Sequence, residues 1–314
     1  MANLAVYIGD ELARYGFGHG HPFGPDRHDA FVNELHRRGL DKKVSLQSPV
    51  VASDEQILLF HTPEYLAEVK ALSKTGEGYL DLGDTPAFIG MYEAAATVVG
   101  TTLAAIDRVM SGNATRAFIP IAGLHHARRH IAAGFCVFND CGVAIEALRQ
   151  VHGLKHVAYV DIDAHHGDGV FYEFESDPDL CIVDFHEDGE FLYPGTGAIE
   201  ETGKGAAKGT KLNIPMPPNA NDGLFMKLWD QAEAFIEKAQ PEFILLQCGA
   251  DSVQGDPITH LNYSTAVHAF TATQLCELAN RLCAGRLVAM GGGGYDRDNL
   301  AKAWCAVVNA MIEA

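Results

Sequence analysis

A chain of 314 residues, 47% hydrophobic and 20% charged, is long enough for one large α/β domain or two average ones and has the balance of a soluble enzyme with a sizeable core. Its formal net charge of −18 argues against a protein that grips nucleic-acid phosphates, because no basic stripe offsets the acids. The charge suits a cationic substrate and equally a solubility adaptation.

In chain order, "LAVYIG" (4–9) reads as a first strand and "PDRHDAFVNELHRRG" (25–39) as a helix with Pro near its start and Gly after its end. The Ala-rich "MYEAAATVVGTTLAAIDRVMSG" (91–112) is a long helix, "RAFIPIAG" (116–123) a strand and "CGVAIEALRQVHG" (141–153) a helix. Strands recur at 156–163, 180–186, 243–251 and 286–295, with helices at 222–239, 264–284 and 298–312. This alternation of helices with near-continuous apolar strands predicts an α/β fold, a mainly parallel sheet with helices on both faces. No repeat, low-complexity block or linker divides the chain, so 1–314 reads as a single domain. No apolar run reaches the roughly eighteen residues of a membrane span, and "MANLAVYIGDEL" lacks the basic flank and apolar core of a secretory signal. Seven cysteines without a C-x-x-C pair point to buried, reduced thiols. The expectation is a cytoplasmic protein without membrane contact.

The polar clusters "DIDAHHGD", "DFHEDGE", "CGADS" and "GGGGYD" fall where strands end, the place where open α/β sheets bind ligands. Burying even one unpartnered carboxylate is costly, yet "YVDIDAHHGDG" (159–169) brings three acids to the mouth of an apolar strand. A divalent cation would compensate them. Asp163 and His165, spaced i, i+2, would leave one face of an extended strand, and Asp251 ends another strand. Two carboxylates and an imidazole around an open position suit catalytic Zn²⁺. His125 and His126 follow the 116–123 strand, and Asp161 and Asp168 are acids able to orient an imidazole each. The tetraglycine run lacks the order of a phosphate loop and is better used to deliver Tyr295 into a cavity as an O–H donor. The His-bearing stretches "HGHPFGPDR" (19–27), "HTPEYL" (61–66) and "HEDGEFLYPGTG" (186–197) read by composition as turns alone. No G-x-S-x-G elbow or Cys–His arrangement competes.

Taken together, "HPFGPDRH", "GLHHARRHIAAGFCVFND", "YVDIDAHHGDGV", "FLYPGTG", "LQCGADSVQGDP" and "GGGGYD" resemble the histone deacetylase superfamily, nearest to its bacterial acetoin-utilisation-type members. The acetylpolyamine amidohydrolases are similar too. The resemblance runs from about residue 20 to 305 and implies an arginase/deacetylase-like α/β fold that hydrolyses an N-acetyl amide. It implies Zn²⁺ on Asp163, His165 and Asp251. His126 would be the general base and acid, supported by Asp168, and His125, supported by Asp161, an electrostatic partner. Tyr295 would polarise the acetyl carbonyl. Gly134, Phe135 and Tyr193 would line a narrow tunnel, with Ile258 near its rim and Arg27 beside the pocket receiving acetate. A structural K⁺ would use Asp161, backbone carbonyls of Asp163, His165 and Phe185, and the side chain at 184. Here Asp184 stands where Ser is common, either tightening that site or finding another partner. A second monovalent site would map near Phe174, Asp177, Leu180 and Thr210.

The implied substrate is an acetylated lysine in a protein or peptide, or a small acetylated amine such as an acetylpolyamine. Asp81 and Asp84 in "GYLDLGDTP" are expected on the rim, able to hold a peptide N–H or a free ammonium. Ile258 is not the acid a polyamine gatekeeper needs. A non-catalytic acyl-amine binding module should have lost a ligand or the tyrosine, and none is missing.

Overall fold

Continuous apolar runs decide the centre of the molecule. In the computed structural model, which describes residues 4–18 and 20–314, eight strands form one sheet. They are β1 (Leu4–Tyr7), β2 (Ser45–Gln47), β3 (Arg116–Ile119), β4 (Val157–Asp161), β5 (Leu180–Glu187), β6 (Lys211–Met216), β7 (Phe243–Gln247) and β8 (Leu287–Met290). The order across the sheet is β2-β1-β3-β8-β7-β4-β5-β6, and every neighbouring pair is parallel. His19 of the "HGHPFGPDR" loop and Met1 to Asn3 lie outside the described residues.

β1, β3, β4, β5, β7 and β8 are buried along their whole length, as strands covered on both faces must be. The helix Met91–Met110 packs on β1, β3 and β8, whereas Asp222–Ala239 packs on β5 and Thr265–Leu282 on β7 and β8. All seven cysteines are buried and unpaired, as expected. Among the described residues, no helix is long and apolar enough to cross a membrane.

Among the departures from the sequence reading, three bear on how the site is built. The edge strands β2 and β6 were not expected: β2 has only three residues, and "KLNIPM" carries polar residues and a proline. An edge is where a sheet tolerates Pro215. Second, "HTPEYL" is more than a turn. Thr62 caps the helix Pro63–Thr75 by accepting the Tyr65 N–H at 3.3 Å, with proline at the first helical position. Third, β3, β4, β7 and β8 end four residues, two residues, four residues and five residues before their expected limits of 123, 163, 251 and 295. These four strands are adjacent, in the order β3-β8-β7-β4, so the loops that replace their ends emerge side by side from one edge of a parallel sheet.

Candidate active site

The register of the sheet sets the floor of the site. Asp161 at the end of β4 lies opposite Gln247 of β7 and Asp184 of β5. Asp163 and His165 follow in a loop rather than on the strand face predicted from their spacing. The loop bends because the His165 N–H donates to Asp163 Oδ1 at 3.0 Å, and the Ala164 N–H donates to Asp251 Oδ1 at 2.9 Å. Asp251 sits in the short turn Ala250–Ser252 beyond β7.

Asp163, His165 and Asp251 are buried and present ligand atoms all within 4.8 Å of one another. His165 Nδ1 lies 3.0 Å from Asp163 Oδ1 and 3.1 Å from Asp251 Oδ2. Burial opposes charge on His165, but its bonds to the two carboxylates raise it to about 10. Burial, with Asp163 alongside, raises Asp251 to about 7. Two buried carboxylates and one imidazole nitrogen converging on a point form a donor set that fits a divalent metal such as Zn²⁺ with a position left open. Asp163 Oδ2 is fixed by the Gly293 N–H at 2.9 Å and by Gln247 Nε2 at 2.8 Å. A Cβ at Gly293 would run into the Asp251 carboxylate and one at Gly249 into Asp163, so glycine is required at these two approaches of the backbone to the ligands.

Beside this group stand the two histidines, both buried. His125 Nδ1 is 2.8 Å from Asp161 Oδ2, His126 Nδ1 is 2.7 Å from Asp168 Oδ1, and the two Nε2 atoms are 3.1 Å apart. Each imidazole therefore has its own carboxylate, as the residue types predicted. Burial would neutralise both rings. At His125 the charges of Asp161 and Asp163 overcome it and raise the ring to about 9. At His126 burial and the neighbouring His125 prevail and lower the ring to about 4. The surroundings thus push the two imidazoles in opposite directions.

Tyr295 follows the tetraglycine run. Its phenol is kept protonated by burial and by the nearby Asp251 and Asp163 charges, which push it well above its usual value. The buried Arg27 ties this loop down, donating from Nε to Gly294 O at 2.8 Å and from Nη2 to Gly292 O at 2.6 Å. Its guanidinium lies 3.9 Å over the Phe23 ring and 5.7 Å from Tyr295, while Nη1 has no partner among the described residues. Phe135 stands edge-on to Tyr295 at 5.9 Å, and Tyr193 edge-on to His126 at 5.2 Å. Phe135 adopts φ +67°, a conformation rare outside glycine; its carbonyl accepts from Tyr15 Oη at 2.8 Å and its N–H donates to Thr85 Oγ1 at 3.1 Å. Gly134 at φ +53° lies where any Cβ would strike the His126 ring.

Asp84, Asp81, Leu82, Arg128, Ile131 and Tyr193 line a groove of about 460 Å³ beside the mouth. Asp81 and Asp84 are not equivalent. Asp81 Oδ1 is spent on its own loop, accepting from the N–H groups of Gly83, Asp84 and Thr85. Burial and the adjacent Asp81 raise Asp84 to about 7. Ile258 is half-buried, its N–H donating to Asp256 Oδ1 at 3.1 Å, while Asp256 Oδ2 accepts the Tyr295 N–H at 2.8 Å. Asp184 has found partners: His186 Nδ1 at 2.8 Å and the Gly167 N–H at 2.9 Å. The Phe185 ring faces away from the site, 4.5 Å from Phe225.

The sequence reading missed Gln247, Tyr159, Asn139 and Asp140. Tyr159 donates to Asp161 Oδ2 at 2.6 Å. Asp140 accepts from the Gly123 and Leu124 N–H groups at 3.0 and 2.8 Å, holding the chain that leads into His125. The available signal was "FND" ahead of an apolar helix, an N-cap pattern. Gln247 offered only its polarity inside "FILLQ".

An eight-stranded all-parallel sheet with a buried Asp–His–Asp group and two carboxylate-held histidines at its carboxyl edge defines an arginase/deacetylase-like α/β protein. The crystal structure of the HDA15 HD domain has this fold: it superposes with a TM-score of 0.91 over 100% of this chain and 90% of its own, at 24% identity. The family described as "Histone deacetylase domain" matches residues 21–311. The acetoin utilization protein AcuC of Bacillus subtilis is 39% identical over 290 residues, 90% of this chain and 75% of its own. Histone deacetylase RPD3 of Saccharomyces cerevisiae is 31% identical over 314 residues, 96% of this chain and 70% of its own. The chain belongs to the histone deacetylase family.

Proposed function

We propose that the protein is a zinc-dependent deacetylase, cytoplasmic and acting as a single catalytic domain, that removes acetyl or a related short acyl group from the ε-amine of lysine side chains and releases acetate. One observation carries this reading. The Asp163–His165–Asp251 group lies beside two imidazoles, each held by its own carboxylate. Family membership and the names of the deacetylase relatives support it.

Asp163, His165 and Asp251 would hold the zinc, which when bound supplies Lewis acidity toward the acetyl carbonyl and the attacking water. His126, uncharged and oriented by Asp168, takes the proton from that water and returns it to the leaving amine. His125, charged against Asp161, stabilises negative charge without competing for the proton. Tyr295 donates its O–H to the developing oxyanion. Phe135 and Tyr193 wall a slot for a flexible methylene arm, and Arg27 offers its unpartnered Nη1 to the departing acetate. A structural K⁺ would sit near Asp161 and Asp184. A Cβ at Gly167 would lie 2.9 Å from Asp161 Oδ2 and 3.3 Å from Asp184 Oδ2, so glycine there lets the backbone pass close to both carboxylates. The carbonyls of Asp163, His165 and Phe185 would complete the site.

A second reading, acetylpolyamine amidohydrolase, has one observation in its favour: Asp84 at the groove beside Tyr193 could take a distal ammonium. Ile258 in place of a rim acid favours the lysine reading. Turnover of an acetyl-lysine peptide and of acetylputrescine, measured side by side, separates them. The expected kcat/KM for the peptide at least equals that for acetylputrescine. A tenfold preference for acetylputrescine, about 1.4 kcal/mol in transition-state binding, replaces the first reading with the second.

A further inference from the structure

Far along the sheet from the histidine pair, the buried first residue of β6, Lys211, points its ammonium into a loop instead of into water. Nζ donates to Asp177 O at 2.8 Å, to Leu180 O at 2.5 Å and to Thr210 Oγ1 at 3.1 Å. Three acceptors match the three donors of an ammonium. The Asp177 carboxylate is turned away toward Arg149, whose Nη2 lies 3.0 Å from Oδ1. Lys211 is thus a buried cation solvated almost wholly by uncharged oxygens, the environment that carbonyl cages provide for K⁺.

The family resemblance places a second monovalent cation at Phe174, Asp177, Leu180 and Thr210, and the residues present do not leave that site free. Asp177 O and Leu180 O are taken by Lys211 Nζ. Phe174 O accepts the Asp177 N–H at 3.1 Å, and Thr210 O accepts the Ile182 N–H at 3.2 Å. We infer that Lys211 is a tethered replacement for a structural monovalent cation, its ammonium occupying the oxygen cage that would otherwise hold a free ion. A cation carried by the chain loses no translational freedom on binding, so the cage is filled whatever ion the medium contains. Burial lowers Lys211 only to about 8, the nearby Asp177 charge opposing the fall, and the ammonium persists at neutral pH.

Shortening the side chain should convert the cage into an ion site. Lys211→Ala should melt on the order of 5 °C lower than wild type in NaCl, and most of that gap should close in KCl or RbCl. The quantity read is the difference between the two proteins, because both retain Asp161 and Asp184. Elemental analysis after gel filtration in RbCl should find one more Rb⁺ per chain in Lys211→Ala than in wild type. A gap equally large in Na⁺ and K⁺, with equal Rb⁺ content, overturns the inference. Should Lys211→Ala not fold, wild-type crystals grown in RbCl decide. No anomalous scatterer among the Asp177 and Leu180 carbonyls is expected; a rubidium ion there with Lys211 displaced overturns it.

Discussion

At the scale of single residues, the proposed chemistry rests on like groups pushed apart by their surroundings. His125 and His126 are adjacent and equally buried, yet one sits between Asp161 and Asp163 and the other faces only Asp168. That asymmetry, rather than the identity of either ring, is why the proposed mechanism gives the proton to His126. Tyr295 is the third participant in the proposed mechanism, its phenol held protonated. Removing one preorganised oxyanion donor costs about 10²–10³ in turnover. Tyr295→Phe is therefore expected to lower kcat by that order while metal content and melting temperature stay at wild-type values. Steady-state kinetics on metal-replete protein checks this, and near wild-type kcat would remove Tyr295 from the mechanism. The sequence exposed these residues because acids and imidazoles at strand ends are chemically conspicuous. Gln247 was not legible: a glutamine in an apolar strand gains meaning only once the register sets it beside Asp161 and within 2.8 Å of Asp163. Lys211 was hidden for the same reason, since nothing in "TKLNIPM" tells that its ammonium turns inward.

At the scale of elements, loops position the site and caps position the loops. Asn139 caps the helix Asp140–Gln150 by accepting the Gly142 N–H at 2.8 Å. Its Nδ2 reaches back to Ala127 O at 2.8 Å and His125 O at 3.3 Å. One side chain thereby joins a helix start to the backbone carrying both histidines. Asn139→Ala loses the cap and strands buried carbonyls, at an expected cost of about 2–3 kcal/mol. Urea unfolding should show that loss as a lower midpoint with an unchanged slope; a shift below about 0.5 kcal/mol would mean other groups hold the loop. The six fully buried strands were legible because covered parallel strands are apolar throughout. β2 and β6 were not, since a three-residue strand and one interrupted by Pro215 carry little pattern, and only edges tolerate them. Strand ends were overextended by as many as five residues at β8, because glycine and aspartate in a loop that hugs the sheet look, in one dimension, like more of the same strand.

At the scale of the whole molecule, a parallel sheet puts every carboxyl end at one edge, and the order β3-β8-β7-β4 gathers four loops from distant parts of the chain around one buried Asp–His–Asp group. The fold class was readable from strand–helix alternation, and the site from the clusters ending those strands. What joins them, the order of strands and the turn that carries Asp251 across to Asp163, belongs to tertiary structure alone. The account depends most on a metal held by that group being required for amide hydrolysis. Zinc content and acetate release from an acetyl-lysine peptide, measured on the same samples of wild type and Asp251→Ala, test it directly. Wild type is predicted to hold one zinc per chain and release acetate, and Asp251→Ala to lose both. An Asp251→Ala protein that keeps a full equivalent of zinc and wild-type turnover would contradict the account.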